Sequence, residues 1–540
     1  MTLNPRAFYT PLLVVGLLAS AVTLLFLTAP KHEDFYWTDA ASFALNGALI
    51  RDYVAAGFPR SPMAFATEWF MRYPALTISL YPPIFPMAEA LVFSIFGFSH
   101  AAAQATVAAF TALAAGGAYL TARSAMPPLA AVGAALLLFA TPSVLLWSRQ
   151  VMMELPALAF LLAASAALLR YQAGGGARRL FLVVILLLAA VYTKQTAIFA
   201  APAFAAALLV EEGPSLLRRR SIWLAAGAGV IGLLPLTAFT IMFVPQLIEV
   251  AVGQGTASIQ SSGEASRLSV AAFTAYGRAL PAIVGLPSLA GALGYFALLA
   301  IRGWPRGAER RLVVLMLAWF GADYLFISST AHFEARYGIA LVVPPTVLSV
   351  LLVTRLAGTR WQSSAALAGG VALFGAAITT QGVPRLSGYD AVAAYVLDNS
   401  RQDGVVLFDG NESKNFVFSV RSRSVMPKIF IMRAEKLLVT YSIMREWGIR
   451  DRNLSSADIE ALIDRYDISM VVLQPDFWTD QPSIARLQAL VYSDRFQQVA
   501  EFPITSDAPS QRTTIKVFRN TRPTRSEERT IASKSSAERQ

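Results

Sequence analysis

The chain has 540 residues, of which 55% are hydrophobic and only 15% are charged, and its mean hydropathy is +0.52. Soluble globular proteins carry about 25% charged residues, so this composition excludes a wholly soluble protein, a disordered chain and a coiled coil. It predicts a polytopic α-helical membrane protein. The net charge of +11 does not indicate nucleic-acid binding, because in the first two thirds of the chain the basic residues lie in short loops between apolar runs.

Cysteine and histidine usage narrows the possible chemistry. The sequence has no cysteine and three histidines, which excludes disulfides, thiolate zinc sites and cysteine nucleophiles and argues against a histidine-rich metal centre. No cofactor is expected, and the sequence does not indicate a divalent metal.

Apolar runs of the length that crosses a bilayer, roughly 20 residues, recur through the first two thirds of the chain. We predict about eleven transmembrane helices. They lie near residues 10–29, 101–122, 128–146, 154–170, 180–193, 196–210, 222–244, 281–301, 312–329, 337–354 and 363–380.

The loops between these runs alternate in charge. Arginine-rich loops, such as residues 218–220 and 302–311, alternate with loops rich in carboxylates. Cytoplasmic loops are enriched in Lys and Arg, which predicts a cytoplasmic N-terminus. The alternation requires that residues 82–98 do not cross, and Pro82, Pro83 and Glu89 in this stretch favour a helix at the outer surface.

Two large segments then fall outside the membrane. Residues 1–384 form the predicted transmembrane module, in which residues 30–100 are a long first outer loop rich in aromatic and acidic residues. Residues 385–520 have the periodicity of a soluble α/β domain. Residues 521–540 are polar and are predicted to be disordered.

Local signals in the C-terminal segment define its elements. Gly404–Asp409 is predicted to be a buried strand, and Ser455 with Asp458 forms a capping-box pattern that opens a helix through Tyr466. Strands are predicted at Ile468–Leu473 and Thr513–Phe518.

The first outer loop opens with an acidic pair, Glu33 and Asp34, directly after the first span. Neighbouring carboxylates raise each other's pKa, and one of them can act as a base toward a hydroxyl group. The alternative is a solvated loop whose charges merely keep this segment outside the membrane.

A second group surrounds the start of the span near residue 154. Arg149 and Glu154 flank the outer ends of two predicted spans, where a carboxylate is less costly than at a helix centre. The alternative is an interfacial acid that caps the helix ahead of Pro156.

Two further outer span ends carry cations. Lys194 lies between two short apolar runs, where a fixed cation can hold a phosphate, unless it is a snorkelling lysine at a hairpin turn. Arg336 and Tyr337 precede the span near 337–354, and this pair suits a phosphate or, alternatively, an aromatic-belt anchor.

Taken in order along the chain, these motifs resemble those of the GT-C glycosyltransferases, in the group of protein O-mannosyltransferase-like and aminoarabinose-transferase-like enzymes (glycosyltransferase family 39 and its bacterial relatives). The motifs lie within residues 1–355. They are Glu33-Asp34-Phe35-Tyr36, Tyr81-Pro82-Pro83-Ile84-Phe85, Arg149 with Glu154-Leu155-Pro156, Thr193-Lys194 and Arg336-Tyr337.

The sequence departs from the family pattern at two positions. The acidic pair is Glu-Asp rather than Asp-Glu, and Tyr81 replaces the lysine that precedes Pro-Pro in the family. The lost cation gives more weight to Lys194 and Arg336 and to two arginines of the outer loops, Arg267 and Arg278.

The resemblance implies an inverting transfer of a sugar from a polyprenyl-phosphate donor to a lipid, glycan or protein acceptor. It implies a multi-pass protein of a bacterial-type inner membrane, with the large loops and the C-terminal domain periplasmic. The implied catalytic residues are Glu33 or Asp34 as general base and Glu154 for orienting the acceptor. The implied substrate-binding residues are Tyr36, Tyr81, Arg149, Lys194, Arg267, Arg278, Arg336 and Tyr337.

A transporter or flippase of lipid-linked glycans is the main alternative. Such proteins usually show internal repeats and place charges at the middle of the membrane. The present sequence shows no repeat, and its charged clusters lie at span ends, which favours the transferase.

Overall fold

The structure is a computed structural model that describes residues 5–244, 269–329, 333–425, 429–441 and 449–522. Within these ranges the chain forms two compact units. The first contains the chain up to residue 29, residues 79–85 and residues 104–383, and the second contains residues 30–78, 86–103 and the chain from residue 384 onward. Apart from Thr521 and Arg522, the predicted tail lies outside the described residues.

In the described part of the chain, eight helical segments are long and apolar enough to cross a membrane. They correspond to eight of the predicted spans. Their bounds are Thr10–Thr28, His100–Ala122, Glu154–Gln172, Gln195–Glu212, Arg220–Phe243, Gly307–Ser328, Ala335–Leu356 and Gly358–Thr380.

The predicted count of about eleven exceeds this number because three apolar runs are interrupted or short. The run at 128–146 is divided into Pro128–Phe139 and Pro142–Trp147, of 12 and 6 residues, and Pro142 begins the second helix because proline suits a first helical turn. The run at 180–193 is the 15-residue helix Ala177–Val191. The run at 281–301 belongs to the helices Val270–Val284 and Leu286–Arg302, which meet at an angle of 109°.

Close backbone contact joins two helices of the first unit. A Cβ atom at Gly133 would lie 2.3 Å from the backbone oxygen of Ala366, and one at Gly370 would lie 2.5 Å from the backbone oxygen of Gly133. Small residues are typical where membrane helices approach closely. Helices Pro128–Phe139 and Gly358–Thr380 therefore pack backbone against backbone.

Residues 30–100 contain three shorter helices, Thr38–Ala55, Pro62–Arg72 and Ile84–Phe96. The third confirms that residues 82–98 include a helix. It has only 13 residues, fewer than the roughly 17 that a span needs.

The described residues of the C-terminal part of the second unit include the strands β1 Leu386–Ser387, β2 Gly404–Asp409, β3 Ile429–Arg433, β4 Val439–Tyr441, β5 Ile449–Asp451, β6 Ile468–Leu473, β7 Phe496–Ser506 and β8 Thr513–Asn520. Six of them form a sheet with strand order β1-β7-β8-β6-β2-β3. Strands β2, β3 and β6 are parallel, and β1, β7 and β8 complete the sheet with antiparallel pairs. A separate antiparallel pair is formed by β4 and β5.

Helices cover both faces of β2, which explains why every residue of this strand is buried. On one face, Val405 and Leu407 belong to a core that includes Ile459 and Ile484. On the other, the ring of Phe408 packs between Tyr389 and Phe416. The helices of this region are Tyr389–Asn399, Ser413–Arg423, Ala434–Leu438, Ser456–Arg465 and Pro482–Val491.

The predicted elements of the C-terminal segment are confirmed. Gly404–Asp409 and Ile468–Leu473 are strands with the predicted bounds, and the last strand extends two residues beyond Phe518. Helix Ser456–Arg465 begins with the predicted capping box, in which Ser455 and Asp458 bond each other's backbone N–H groups.

The first-loop helices pack on the C-terminal helices within the second unit. Nη2 of Arg421 contacts both carboxylate oxygens of Asp52, at 2.8 and 2.7 Å, and the indole of Trp69 donates to the same carboxylate. Arg421 is 1% exposed, so this pair is a buried, charge-assisted contact. The hydroxyl of Tyr73 lies within hydrogen-bond distance of the backbone oxygens of Ser424 and Val425.

Candidate functional site

A small, partly open cavity lies in the first unit. It collects residues from four helical segments that are far apart in the sequence. Its polar lining residues are Glu154, Lys194, Thr196, Asp323, Arg336 and Tyr337, and its apolar ones are Ala157, Leu158, Leu161, Ala197, Phe199, Ile327, Ile339 and Ala340.

Glu154 is the central acid of this cavity. It is the first residue of helix Glu154–Gln172, where the positive end of the helix dipole favours a carboxylate. Its side chain is 2% exposed. The predicted role of Glu154 in orienting an acceptor stays a prediction, since its charged contacts are with cations.

Lys194 and Arg336 reach the cavity from breaks in the helical backbone. Lys194 has extended backbone angles between helix Ala177–Val191 and the 3₁₀ segment Gln195–Phe199. Arg336 and Tyr337 belong to the 3₁₀ segment Ala335–Val342. Irregular backbone in a membrane protein is tolerated where it lines a cavity.

The two cations converge on one oxygen of Glu154. Nζ of Lys194 lies 2.5 Å from Oε1 of Glu154, and Nε of Arg336 lies 3.7 Å from the same atom. Among the described residues, Oε2 of Glu154 has no hydrogen-bond partner. The ring of Tyr337 lies under both cations, with 5.0 Å from Lys194 Nζ and 5.7 Å from Arg336 Cζ to its centroid, which adds a cation–π contribution.

Arg336 is held from a second direction. Nε of Arg336 lies 3.7 Å from Oε2 of Glu334, whose side chain is 35% exposed. The hydroxyl of Tyr276, on helix Val270–Val284, lies 3.3 Å from both the backbone nitrogen and the backbone oxygen of Glu334. This contact fixes the start of the 3₁₀ segment that carries Arg336.

Asp323 is an acidic lining residue that was not predicted from the sequence. It lies on helix Gly307–Ser328 and is 1% exposed, and Ile327, one turn further on, lines the same cavity. Its Oδ2 has no hydrogen-bond partner among the described residues. A carboxyl group inside an apolar run is costly, roughly 2.5–3.5 kcal/mol at a helix centre on insertion scales, and that cost was the signal available in the sequence.

The segment around Tyr81 lies beside the Lys194 turn. The backbone oxygen of Leu80 accepts a hydrogen bond from the side chain of Gln195 at 3.2 Å, and the backbone N–H of Ile84 donates to the oxygen of Tyr192 at 3.1 Å. Leu80 and Ile84 lie on either side of Tyr81 in the sequence, and their partners Gln195 and Tyr192 lie on either side of Lys194. Tyr81, at the position where the family has a lysine, is therefore next to Lys194 in the fold.

Arg149 is buried in the first unit but is not part of this cavity. Its Nε donates to the oxygen of Leu145 at 2.9 Å and its Nη2 to the oxygen of Gln381 at 3.1 Å. Burial lowers the pKa of Arg149 to about 10. These contacts join the ends of helices Pro142–Trp147 and Gly358–Thr380, and a role in binding substrate stays a prediction.

The acidic pair lies in the second unit. Asp34 is 7% exposed, its Oδ2 accepts the backbone N–H of Tyr389 at 2.8 Å, and its backbone N–H donates to the oxygen of Leu386. Burial raises the pKa of Asp34 to about 7. Glu33 is more exposed and forms an ion pair with Arg385 at 3.0 Å.

The remaining predicted binding residues are placed as follows. Tyr36 is half-buried in the second unit and its backbone oxygen accepts from Gln511. Arg278 is exposed on helix Val270–Val284 and does not line the cavity. Arg267 lies outside the described residues. In the described part of the chain, no group of three or more histidine or carboxylate side chains is arranged to hold a metal ion.

Comparison with known proteins gives one family and several related folds. The family described as dolichyl-phosphate-mannose-protein mannosyltransferase matches residues 81–239. The structure of ArnT from Cupriavidus metallidurans bound to undecaprenyl phosphate is similar with a TM-score of 0.59 and 15% identity, over 93% of this chain and 97% of ArnT. Comparison with the curated proteins finds no match.

Two further structures share the fold. The archaeal oligosaccharyltransferase AglB from Archaeoglobus fulgidus, in complex with an inhibitory peptide and a dolichol-phosphate, has a TM-score of 0.50 and 12% identity over 93% of this chain and 74% of AglB. The arabinofuranosyltransferase AftD from Mycobacteria has a TM-score of 0.52 and 15% identity over 97% of this chain and 40% of AftD. All three are GT-C glycosyltransferases, and with the family match they confirm the predicted resemblance and the predicted fold class.

Proposed function

We propose that this chain is a membrane glycosyltransferase that moves a sugar from a polyprenyl-phosphate donor to an acceptor, with inversion at the anomeric carbon. The observation that carries the proposal is the cavity in which Lys194 and Arg336 converge beside apolar helical walls. Two fixed cations sheltered from water suit a phosphate, and the apolar walls suit a prenyl chain. The related ArnT and AglB structures contain undecaprenyl phosphate and a dolichol-phosphate, ligands of the same class.

The proposed reaction is a single displacement. The acceptor hydroxyl attacks the anomeric carbon, the bond from that carbon to the phosphate oxygen breaks, and the polyprenyl phosphate leaves with the bonding electrons. A carboxylate, Asp34 or Glu33, takes the acceptor proton. Lys194 and Arg336 stabilise the negative charge that develops on the leaving phosphate, a preorganised electrostatic contribution of the kind that is often the largest in catalysis.

We also propose the cellular setting. The family resemblance suggests a bacterial-type inner membrane. The alternation of arginine-rich and acidic loops favours a cytoplasmic N-terminus, with residues 30–100 and 385–520 on the periplasmic side. The acceptor is then a lipid, glycan or protein that is reached from that side.

Binding of undecaprenyl phosphate to the purified full-length chain in detergent tests the proposal. We expect saturable binding of undecaprenyl phosphate and much weaker binding of undecaprenol, which lacks the phosphate. Lys194→Met should weaken binding about 10- to 100-fold, since a hydrogen bond to a charged group contributes about 1.5–3 kcal/mol. Adding Tyr81→Lys to this variant should restore part of the affinity, because the two positions are neighbours.

Lys516→Met is the matched control. It removes the same charge from β8, where the Lys516 ammonium group lies 5.7 Å from the centroid of the Tyr492 ring, and it should leave binding unchanged. Equal affinity of the wild type for undecaprenol and undecaprenyl phosphate would overturn the proposal. Wild-type affinity in Lys194→Met would make Lys194 a snorkelling residue and remove it from the site.

A further inference from the structure

The carboxylate of Glu154 occupies the place between the two cations that the proposed function gives to a phosphate. Its Oε1 lies 2.5 Å from Lys194 Nζ and 3.7 Å from Arg336 Nε. A phosphate that contacts both cations must therefore share them with Glu154 or displace its carboxylate. The side chain of Glu154 is 2% exposed, so water screens this competition only weakly.

The charges of the site match one state of the lipid better than the other. Within the cavity lining, Lys194 and Arg336 supply two positive charges and Glu154 one negative charge, which leaves one positive charge in excess. The Glu334 carboxylate beside Arg336 is not counted, because it lies outside the lining and its side chain is 35% exposed to solvent. Asp323, the other buried ionisable residue of the lining, is either neutral or negative. It therefore cannot supply a further positive charge for a phosphate with two negative charges.

The donor and the product of the proposed reaction differ in charge. A polyprenyl-phosphate sugar is a phosphodiester with a single negative charge. After the sugar leaves, the polyprenyl monophosphate carries close to two negative charges at neutral pH, because the second pKa of a phosphate monoester is about 6. The single negative charge of the donor equals the excess positive charge of the site, whereas the product carries about one negative charge more. This extra charge is costly because it is buried without compensation.

From this balance we infer that Glu154 sets the preference of the site for the phosphodiester donor over the phosphomonoester product, and thereby drives release of the polyprenyl monophosphate. The inference rests on the proposed function and assigns to the same site a step after the chemistry. Product release limits turnover in many enzymes, and a site with two cations and no carboxylate would retain its anionic product.

Glu154→Gln tests the inference by direct binding. The variant keeps the size of the side chain and one carbonyl oxygen for Lys194, but it removes the negative charge. The dissociation constants of two probes, undecaprenyl phosphate and its methyl ester, are measured for the full-length chain in detergent. We expect the monophosphate to bind at least about ten-fold more tightly to the variant, because a unit charge within a few ångströms is removed from a shielded site. The gain for the methyl ester should be smaller.

Glu334→Gln is a matched control, since the Glu334 carboxylate also lies 3.7 Å from Arg336 Nε but its side chain is 35% exposed. It should change either affinity less than about two-fold, as expected for a solvent-screened pair. Glu154→Asp, which keeps the charge, should retain the preference for the ester.

The outcomes separate this inference from the proposed function. Failure of the wild type to prefer undecaprenyl phosphate over undecaprenol overturns both. If the wild type shows that preference but Glu154→Gln binds the monophosphate no more tightly than the wild type does, only the inference is overturned, and Glu154 then serves to position Lys194. An equal gain for both probes also overturns it.

Discussion

Asp34 and Glu33 are adjacent in the sequence, yet their surroundings suit them to different tasks. Burial raises the pKa of Asp34 to about 7, close to the value at which a general base is most effective near neutral pH. The carboxylate of Glu33 instead forms an ion pair with Arg385. This difference favours Asp34 as the proposed base, a choice that the sequence left open.

The two carboxylates should therefore respond differently to replacement by their amides. We expect Asp34→Asn to lower turnover by about 10²–10⁴-fold, the usual contribution of a general base, and Glu33→Gln to lower it far less. In the wild type, kcat/KM should rise as the pH increases through about 7, because the base acts only when it is deprotonated. Transfer from a polyprenyl-phosphate sugar, followed from pH 5 to 9, measures both effects.

The fold should survive this change, since the side-chain oxygen of asparagine can still accept the N–H of Tyr389. An unchanged melting temperature checks this point. Wild-type activity in both single variants and in the double variant would show that the acidic loop takes no part in the chemistry.

The sequence predicted most of the cavity residue by residue but not the cavity itself. A charge or a tyrosine at a span end indicates a binding or anchoring role, and this signal identifies Glu154, Lys194, Arg336 and Tyr337. The structure brings all four together. Arg149 carries the same signal, but it bonds backbone oxygens. Local sequence does not distinguish a cation that serves a ligand from one that joins helix ends.

At the scale of elements, prediction succeeded where the signal is local. The capping box at Ser455 and the continuous apolar run of β6 define their own bounds. It did not predict the bend near Gly285, where Gly285 has a positive φ of 85° and the chain turns by 109°. Hydropathy averages over such a bend, because both flanking helices are apolar.

Strand β2 ends in a buried acid whose protonation should control the stability of the sheet. Burial raises the pKa of Asp409 to about 8, well above the roughly 3.9 of an unfolded aspartate. Between these values the native state binds a proton that the unfolded state has released. The stabilising contribution is thus complete below about pH 4 and is lost as the pH rises through about 8.

Asp409→Asn should remove this dependence while keeping the hydrogen bond from Gln488. Relative to the wild type, the variant should gain stability from pH 5 to pH 8, at up to about 1.4 kcal/mol per pH unit. Thermal unfolding of the full-length chain at several pH values measures the difference in Tm. A difference that does not change with pH would contradict the assignment.

At the scale of the whole molecule, composition alone predicted a multi-pass membrane protein, and the fold confirms that class. The number of crossings could not be obtained in the same way. Helices Pro128–Phe139 and Ala177–Val191 are apolar but short, and neither composition nor length states whether such helices cross.

The proposed sidedness can be measured because the chain has no native cysteine. Single cysteines at positions 57 and 411 should react with a membrane-impermeant maleimide in intact cells, since both lie in segments that the charge alternation places outside. Cysteines at positions 175, 219 and 307 should react only after permeabilisation. Labelling of position 411 only after permeabilisation would show that the C-terminal segment lies on the cytoplasmic side, contrary to the proposal.

The second unit is assembled from pieces made at very different times. Asp52 and its partner Arg421 are separated by 369 residues, so at about 5–20 residues per second the ribosome needs roughly 20–70 seconds to pass from one to the other. Through that interval the helix Thr38–Ala55 exists without the surface that buries it. We therefore expect the first loop to remain without its native partner until residue 421 has been made, and a chain truncated before residue 421 should be cleaved faster by added protease than the full-length chain.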